Sequence, residues 1–405
     1  MKEDKNQWIK SRHKILTFLF RPLLFLLSKL LYHIKIDKFS DPDHRPYLIL
    51  ANHQTDFDQF FIASAFDRPV YYVAMEDIFS MGFVSKIIRW CVAPIPINKA
   101  STDIKSVMTC MRVAKQGGTI AIFPEGNRTY SGKTCYIKPA IAALAKSLKL
   151  PIAIFRIEGG YGVKPRWASR RRGGTMKAGV RRVIEPEEYK TMTNEELFDI
   201  ISKELYVDDS TVKTSFPSQH SAEYIERVLF VCPDCGLSEF RSSGNTFTCE
   251  KCGKKWNYLP DLTIQSEKGP SPFKNASEWY NFQEQYIRDL DLSAYLDTPA
   301  YREKVSLYET IVYQKKIPLY LNSEVSLYGD RIEISAPDSQ VILLFDDIKA
   351  MACIADHKLN IFYKDKLYQL RGDPRFNALK YCNLYYHAKY LKEHVNDGEF
   401  QFLGL

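Results

Sequence analysis

The chain of 405 residues is long enough for two or three domains, each with its own hydrophobic core. Apolar residues make up 45% of it and charged residues 26%, which excludes a largely disordered chain and a protein that crosses a membrane many times. The formal charge of +8 favours an anionic partner, and leaves lipid headgroups, coenzyme phosphates, acidic carrier proteins and nucleic acid all open.

An apolar segment with basic flanks lies near the start of the chain, between residues 15 and 32. Arg21 and Pro22 interrupt it, so it lacks the run of about 20 apolar residues that a spanning helix needs. No small-residue cleavage site follows, which disfavours a secretory signal peptide. We predict that residues 1–40 form short helices that anchor the chain in a membrane interface, with a tilted span and a buried core helix as alternatives.

Short apolar runs alternate with helical patterns from about residue 45 to residue 205. Such alternation predicts an α/β domain, placed here at residues 41–207, whose sheet consists of short strands rich in Val and Ile. The predicted strands span residues 47–51, 70–74, 92–97, 119–122 and 151–157, and the predicted helices span residues 58–66, 83–91, 102–115 and 139–147.

A basic segment without acidic residues lies between residues 164 and 182. It is interpreted either as a solvated loop or as an electrostatic contact for anionic lipid or an acidic acyl donor. Its basic residues are Lys164, Arg166, Arg170, Arg171, Arg172, Lys177, Arg181 and Arg182.

Two polar segments, residues 52–58 and 123–129, each directly follow a predicted strand. Both therefore lie at carboxyl ends of strands, where α/β sheets place their sites. His53 and Asp58 can meet only if His53 stays in the loop and Asp58 lies in the first helical turn. Asp58 would then orient the imidazole, and the second ring nitrogen could take a proton from a hydroxyl. Because no GxSxG segment is present, the acceptor hydroxyl itself is the expected nucleophile.

The second segment supplies groups suited to a phosphate or a developing negative charge. Arg128 offers a planar fork that matches phosphate oxygens. Gly126 allows backbone donors to approach a phosphate or an oxyanion closely. Glu125 is expected either to orient Arg128 or to bond an acceptor hydroxyl.

With NHxxxxD at Asn52–Asp58 and FPEGxR at Phe123–Arg128, the sequence resembles the glycerolipid acyltransferase family typified by 1-acylglycerol-3-phosphate (lysophosphatidate) acyltransferase. The resemblance covers roughly residues 15–205. It implies the family's glycerolphosphate-acyltransferase-like sheet with flanking helices, membrane association, and acyl transfer from acyl-CoA or acyl-carrier protein to lysophosphatidate. It also implies that His53 and Asp58 are catalytic, and that the substrate is bound by Asn52, Lys99, Glu125, Gly126, Asn127, Arg128 and Thr129.

Two departures from the family pattern concern the acceptor. Lys99 stands where the family usually carries an arginine that helps to bind the phosphate, and Leu150-Pro151-Ile152 only approximates the family's fourth, proline-centred block. Glycerol 3-phosphate or another lysophospholipid is therefore the alternative acceptor. A different class of function is a zinc-ribbon protein that uses a degenerate acyltransferase domain to sense lipid. The intact His53 and Asp58 favour the enzyme, and nucleic acid is not an expected partner.

Two CxxC pairs predict a metal site. Thirteen residues separate the pairs, and a glycine after each second cysteine permits the tight turn that points both sulfurs at one ion. We predict a linker and a structural zinc ribbon at residues 208–265, with an iron cluster and a contact surface for protein or nucleic acid as alternatives. The predicted ligands are Cys232, Cys235, Cys249 and Cys252.

The last part of the chain, residues 278–405, alternates in the manner of strands and ends in a helical pattern at residues 377–392. A mostly β domain closed by one helix resembles a pleckstrin-homology-like barrel in pattern. The scattered remaining cysteines indicate a reducing compartment, so we expect a peripheral or monotopic protein on the cytoplasmic face of a membrane. The predicted strands span residues 324–328, 331–334, 341–345, 359–362 and 367–370.

Overall fold

The computed structural model describes residues 7–97, 104–311, 313–337 and 339–393. It contains three main sheets in chain order, which we call the N-terminal sheet (β1–β7), the cysteine sheet (β10–β13) and the C-terminal sheet (β14–β20). The N-terminal sheet lies between helices, whereas the other two are antiparallel.

The N-terminal sheet has the strand order β1-β7-β6-β2-β5-β3-β4, and only β6 and β7 are antiparallel neighbours. Its strands are β1 (Ile34–Ile36), β2 (Leu48–Ala51), β3 (Val70–Met75), β4 (Ile95–Ile97), β5 (Thr119–Ile122), β6 (Ile152–Glu158) and β7 (Met176–Ile184). Its helices are α1 (Ser11–Tyr32), α2 (Asp58–Ala65), α3 (Phe83–Val92), α4 (Ile104–Lys115), α5 (Ala140–Leu148), α6 (Gly160–Val163), α7 (Pro186–Tyr189) and α8 (Asn194–Leu205).

The central strands of this sheet are buried on both faces, as expected for parallel strands covered by helices. Leu48 and Ile49, which point to opposite faces of β2, are both fully buried. The α/β architecture predicted from alternating apolar runs is confirmed, and the predicted elements between residues 47 and 157 form within three residues of their expected bounds.

The N-terminal segment differs from the expectation of short helices. It forms one helix, α1, which continues through Pro22. Arg21 donates from Nε and Nη2 to the carbonyl oxygens of Ser64 and Ala65, at 3.1 and 3.3 Å. These carbonyls lie at the carboxyl end of α2, where a cation is stabilising. The two residues that interrupt the apolar run therefore do not interrupt the helix.

The cysteine sheet is joined to an aromatic core. The rings of Trp256 and Trp279 lie 4.9 Å apart, and Phe247 stacks on Trp256 at 5.5 Å. The preceding segment 208–221 is attached to the fold at Asp209, Ser210, Phe216 and Ser221, which are buried, while its other residues are exposed or half-buried. The elements of this region are β8 (Val231–Cys232), β9 (Gly236–Leu237), β10 (Phe240–Ser243), β11 (Thr246–Cys249), β12 (Lys255–Tyr258), β13 (Ile264–Ser266) and α9 (Ala276–Arg288).

The C-terminal sheet has the order β17-β16-β15-β14-β20-β19-β18 and is covered by helix α10. Tyr385 of α10 donates to the carbonyl of Ile348 at 2.7 Å. A mostly β region closed by one helix was predicted, although β14 and β18 were not. The pleckstrin-homology-like identity stays a prediction. The elements are β14 (Tyr301–Thr310), β15 (Ile317–Leu327), β16 (Arg331–Ala336), β17 (Ser339–Leu344), β18 (Ile348–Ile354), β19 (Lys358–Tyr363), β20 (Lys366–Gly372) and α10 (Ala378–Glu393).

Candidate active site

His53 lies in the loop after β2, and Asp58 begins α2. The imidazole Nδ1 is 2.8 Å from Asp58 Oδ2. The same oxygen accepts from the backbone N–H groups of Gln54 and Thr55 at 2.6 and 3.0 Å, and Oδ1 accepts from the Thr55 hydroxyl at 2.6 Å. A carboxylate with four donors is held firmly and can only accept from the imidazole. Nδ1 therefore carries the proton, which leaves the lone pair on Nε2.

The imidazole is mostly neutral in this environment. Burial lowers the pKa of His53, and the charges of Arg128 and Arg166 lower it further, against the opposing effect of Asp58. Phe123 stacks on the ring at 4.3 Å. The side chain remains 20% exposed, and no described residue bonds to Nε2. A neutral, oriented imidazole with one open nitrogen is the form that a general base requires.

The second motif holds the backbone of His53 from both sides. Glu125 accepts the His53 N–H at 2.6 Å with one oxygen and the Cys135 N–H at 2.6 Å with the other. Thr129 donates its N–H to the His53 carbonyl at 3.0 Å. Burial raises the pKa of Glu125 to about 8, although the two N–H donors lower it. Neither oxygen of Glu125 is bonded to Arg128, so Glu125 does not orient Arg128 and fixes the backbone position of the base instead. Its bond to an acceptor hydroxyl stays a prediction.

Two further residues expected to bind substrate have side chains that form hydrogen bonds to the protein backbone. Asn52 donates to the carbonyl of Ile157 and accepts from its N–H, both at 2.8 Å, which ties β2 to β6. The Thr129 hydroxyl donates to the carbonyl of Lys133 at 2.6 Å and accepts from Gly132 N–H at 3.0 Å. Both residues are buried, and these bonds hold the loops of the site in place. Their contact with substrate stays a prediction.

The turn after Glu125 favours glycine because of its backbone conformation. Gly126 has a φ of +68°, a conformation that favours glycine. Its N–H donates to the carbonyl of Phe123 at 2.9 Å and is therefore not directed at a phosphate or an oxyanion. Asn127 likewise faces the protein, since its Nδ2 donates to the carbonyl of Cys353 in β18 at 3.1 Å.

Arg128 is buried with 7% of its surface exposed, and its partner comes from the far end of the chain. Its Nη2 donates to Asp356 Oδ1 at 2.8 Å. Asp356 lies in the turn between β18 and β19 of the C-terminal sheet. The Nη1 of Arg128 is buried and has no hydrogen-bond partner among the described residues. The guanidinium fork is therefore only half used by the protein.

Comparison with known proteins assigns this region to a family. Residues 33–157, which include both motifs, match the family model described as Acyltransferase. The mouse (Mus musculus) 1-acyl-sn-glycerol-3-phosphate acyltransferase alpha is 26% identical over 136 residues, which cover 32% of this chain and 47% of that protein. Residues 33–157 are an acyltransferase domain. The family resemblance predicted from the two motifs is thereby confirmed.

A solved structure shows a weaker likeness. The 1-acyl-sn-glycerophosphate (LPA) acyltransferase PlsC from Thermotoga maritima has 17% sequence identity and a TM-score of 0.41, covering 50% of this chain and 84% of that one. The chain spans about half the length of the curated mouse relative that it matches.

The basic segment at residues 164–182, which follows the residues matched by the family model, is neither a solvated loop nor a surface contact over its whole length. Lys164, Arg166 and Arg172 are buried, and residues 176–184 form strand β7. Arg166 donates to the carbonyls of Arg128 and Cys353 at 2.9 and 3.1 Å. Its guanidinium also lies 4.0 Å from the ring centre of Tyr130. Part of the segment thus lies beside the site, where the sequence indicated a solvated loop or an electrostatic contact for an anionic lipid or acyl donor.

One predicted residue has no described position, and one residue at the site was not predicted. Lys99, predicted to bind phosphate, lies outside the described residues. Arg227 was not predicted, yet it is buried and its Nη1 lies 4.0 Å from Asp356 Oδ2. Because Arg128 and Asp356 are 228 positions apart, no local pattern links them.

The four predicted metal ligands come together in the cysteine region. The sulfur atoms of Cys232, Cys235, Cys249 and Cys252 all lie within 4.8 Å of one another. Gly236 and Gly253 follow the second cysteine of each pair with φ of +70° and +73°, as predicted for these turns. The cluster is separate from His53 in the chain and offers only sulfur ligands.

Proposed function

We propose that the protein is an acyltransferase that moves a fatty acyl group from a thioester donor to the hydroxyl of lysophosphatidate. The observation that carries the proposal is the oriented, neutral His53 at the carboxyl edge of the sheet, whose Nε2 is not bonded to any described residue. The acyltransferase domain and the name of its mouse relative support the donor and acceptor classes. Acyl-CoA and acyl-carrier protein are the two thioester donors consistent with this class.

The reaction follows from the position of the proton. Nε2 of His53 removes the proton of the acceptor hydroxyl while its oxygen attacks the thioester carbonyl. The new carbon–oxygen bond gives a tetrahedral oxyanion, which collapses and breaks the carbon–sulfur bond. The thiolate leaves and takes the proton back from His53. Asp58 keeps the tautomer and stabilises the transient imidazolium, so the pair ends the cycle in its starting state.

The decisive experiment incubates the purified protein in lipid with labelled acyl-CoA or acyl-carrier protein and a panel of acceptors. The panel contains lysophosphatidate, glycerol 3-phosphate, lysophosphatidylcholine and monoacylglycerol, and the products are identified by mass. His53→Ala is the inactive control. We expect phosphatidate as the main product. The proposal is contradicted if the folded protein acylates none of the acceptors. If it prefers another acceptor, that acceptor takes the place of lysophosphatidate in the proposal.

A membrane surface beside the site is supported by two helices that turn apolar residues outward. Helix α1 is long and apolar enough to cross a membrane by length and composition, and only 11% of its most apolar window is buried. Helix α3 exposes Phe83 at 74% of its surface together with Ile87 and Trp90, which share one face. Arg12 donates to the Trp90 carbonyl at 3.2 Å, so the helices adjoin. We propose that α1 and α3 bind the cytoplasmic face of a membrane together.

Liposome flotation of the full chain tests this surface. The double variant Phe83→Asn, Ile87→Asn alters exposed side chains only, so it should fold normally and bind vesicles containing anionic lipid more weakly. Leu391→Asn, a change to an exposed leucine of α10, serves as the matched control. Equal flotation of the two variants would remove α3 from the proposed surface.

The cysteine cluster fits one structural zinc ion. Four sulfurs in a tetrahedron with zinc–sulfur bonds of about 2.3 Å lie about 3.8 Å apart. The sulfurs of Cys232 and Cys252 are 3.8 Å apart. Four thiolates leave no open coordination position for catalysis. We propose that zinc holds β8 and β9 against β10 and β11, and that it takes no part in acyl transfer.

A further inference from the structure

The turn between β18 and β19 reaches from the C-terminal sheet into the candidate active site. Cys353, near the end of β18, accepts hydrogen bonds from Asn127 and Arg166, both at 3.1 Å. Ala355 then adopts a φ of +52°, a conformation unusual for a residue with a side chain. The turn thus presents Asp356 to Arg128 at 2.8 Å. Both ends of this contact are fixed by the fold.

Four cationic side chains are buried around this one turn. They belong to different parts of the chain and are exposed by 7% or less: Arg128, Lys164, Arg166 and Arg227. Among the described residues, Asp356 is the only carboxylate that forms an ion pair with Arg128 or Arg227. Burying several like charges is unfavourable unless anions accompany them. Asp356 is thus the carboxylate that meets the buried Arg128 and Arg227 at this turn.

The electrostatics of the individual groups reflect this arrangement of one carboxylate among buried cations. Burial lowers the pKa of Lys164, and Arg128 and Arg227 lower it further, while Asp356 and Asp56 oppose them. Burial would raise the pKa of Asp356, but Arg128, Lys164 and Arg227 together hold it below its usual range. His357 beside it has its pKa lowered by burial and by Arg227, and so adds no charge at neutral pH. Asp356 thus interacts with at least three cations at once.

The cluster adjoins the base. Arg128 immediately precedes Thr129, whose N–H is bound to the His53 carbonyl at 3.0 Å. Arg128 and Arg166 are also the two cations that act on His53. An anionic group bound to Arg128 would therefore belong to a molecule whose other end can reach Nε2. Of the proposed substrates, the acceptor carries a phosphate close to its reactive hydroxyl.

We propose that Arg128, Lys164 and Arg227 bind the phosphomonoester of the acceptor, and that Asp356 is the resident counter-ion which this phosphate replaces. The inference rests on the proposed acyltransferase function and adds a selectivity rule to it. A phosphomonoester at neutral pH carries nearly two charges and three acceptor oxygens, which exceeds what one carboxylate offers. A phosphodiester or an uncharged headgroup lacks that advantage. Asp356 therefore makes the site selective for a terminal phosphate.

The test compares phosphate binding in Asp356→Asn and in the wild type. Asparagine keeps the size of the side chain and an acceptor oxygen for Arg128, but it removes the competing charge. With inorganic phosphate as the probe at constant ionic strength, we expect the Kd from thermal-shift titration to fall on the order of tenfold, which corresponds to about 1.4 kcal/mol. The KM for lysophosphatidate should fall as well, while the KM for the acyl donor stays unchanged.

Asp365→Asn is the matched control, because Asp365 lies in the next turn of the same sheet and pairs with Lys349 at the surface. Its phosphate affinity should equal that of the wild type. If Asp356→Asn also leaves phosphate affinity unchanged while acyl transfer is normal, the inference is wrong and the proposed function stands. If phosphate binds more tightly in Asp356→Asn but no acceptor is acylated, the anion site stands and the proposed function fails.

A second measurement on the wild type covers the case in which Asp356→Asn does not fold. Displacement of Asp356 should loosen the turn that carries it. Phosphate should therefore speed amide hydrogen exchange across residues 353–359, whereas the turn at residues 363–366 should not respond. Unchanged or slower exchange at residues 353–359 under saturating phosphate would show that the anion does not replace Asp356.

Discussion

The two loops at residues 52–58 and 123–129 meet at His53, but their charged side chains find their bonding partners in different parts of the molecule. The groups that bond the Asp58 carboxylate all lie within five residues of it, in the loop between β2 and α2. Arg128, three residues after Glu125, pairs instead with Asp356 of the C-terminal sheet. The bonds between His53 and Asp58 and around the Asp58 carboxylate thus come from a short stretch of chain, whereas the anion site is assembled from several distant segments. We infer that chemistry and acceptor recognition can be perturbed separately.

The largest expected effect is on the base. Asp58→Asn retains shape but places an amide donor or a neutral oxygen where Nδ1 and three other donors need an anion. We expect kcat to fall about 10²–10⁴-fold, because the imidazole loses its orientation and its stabilised cationic form. The acceptor KM should change little, since Asp58 does not contact the cation cluster around Arg128.

Steady-state kinetics with lysophosphatidate and the acyl donor provide the measurement for Asp58→Asn. Asp67→Asn is the control, because Asp67 follows the same helix and pairs at the surface with Arg68. A folded Asp58→Asn protein with near-normal kcat would remove the pair from the mechanism. A change confined to the acceptor KM would contradict the proposed separation between the His53–Asp58 pair and the cation cluster around Arg128.

An intermediate effect is expected from loss of zinc. Arg227 lies four residues before β8, and its Nη1 and Nε donate to the carbonyls of Trp167 and Pro374 at 2.7 and 2.6 Å. Disorder in the cysteine region should therefore disturb the cation cluster before it reaches His53. Cys252→Ser changes the most exposed ligand and should release the metal. We expect the acceptor KM to rise several-fold with a smaller change in kcat.

Elemental analysis and kinetics on the same preparation check this expectation. Cys91→Ser, a change to a half-buried cysteine of α3, is the control and should retain about one zinc per chain. Finding no zinc in the wild type, or iron in its place, would overturn the metal assignment. Loss of zinc with an unchanged acceptor KM would show that the cysteine region does not position Arg227.

The same contrast explains what the sequence could and could not predict. His53, Asp58 and the strands before the two loops follow local patterns, because apolar runs and the first turn of a helix are encoded within a few residues. Lys164 and Arg166 were visible as charges, but their burial depends on β18 and Arg227, far away in the chain. Asp356 is one aspartate in a turn and gave no signal. The helix through Pro22 was missed because Arg21 finds its acceptors on α2.

The smallest expected effect is a shift in the pKa of His53, through which Arg128 acts electrostatically on the base. Burial is the main cause that lowers the pKa of His53 below its ordinary 6.5, and Arg128 adds to it. Because the neutral imidazole is the active base, kcat/KM should be constant at higher pH and fall as pH drops through this lowered pKa. Arg128→Gln removes one positive charge near the ring, which makes protonation easier. The pKa should therefore rise by a fraction of a unit, and activity should be lost at a higher pH than in the wild type.

Titration of the His53 ring protons by NMR separates this shift from the weaker acceptor binding that Arg128→Gln also causes. Arg170→Gln is the control, since Arg170 is exposed and pairs with His220 instead. It should leave the His53 titration where the wild type has it. If Arg128→Gln also leaves the pKa of His53 unchanged, or lowers it, the guanidinium of Arg128 does not act on the base. The two parts of the site would then be independent in charge as well as in structure.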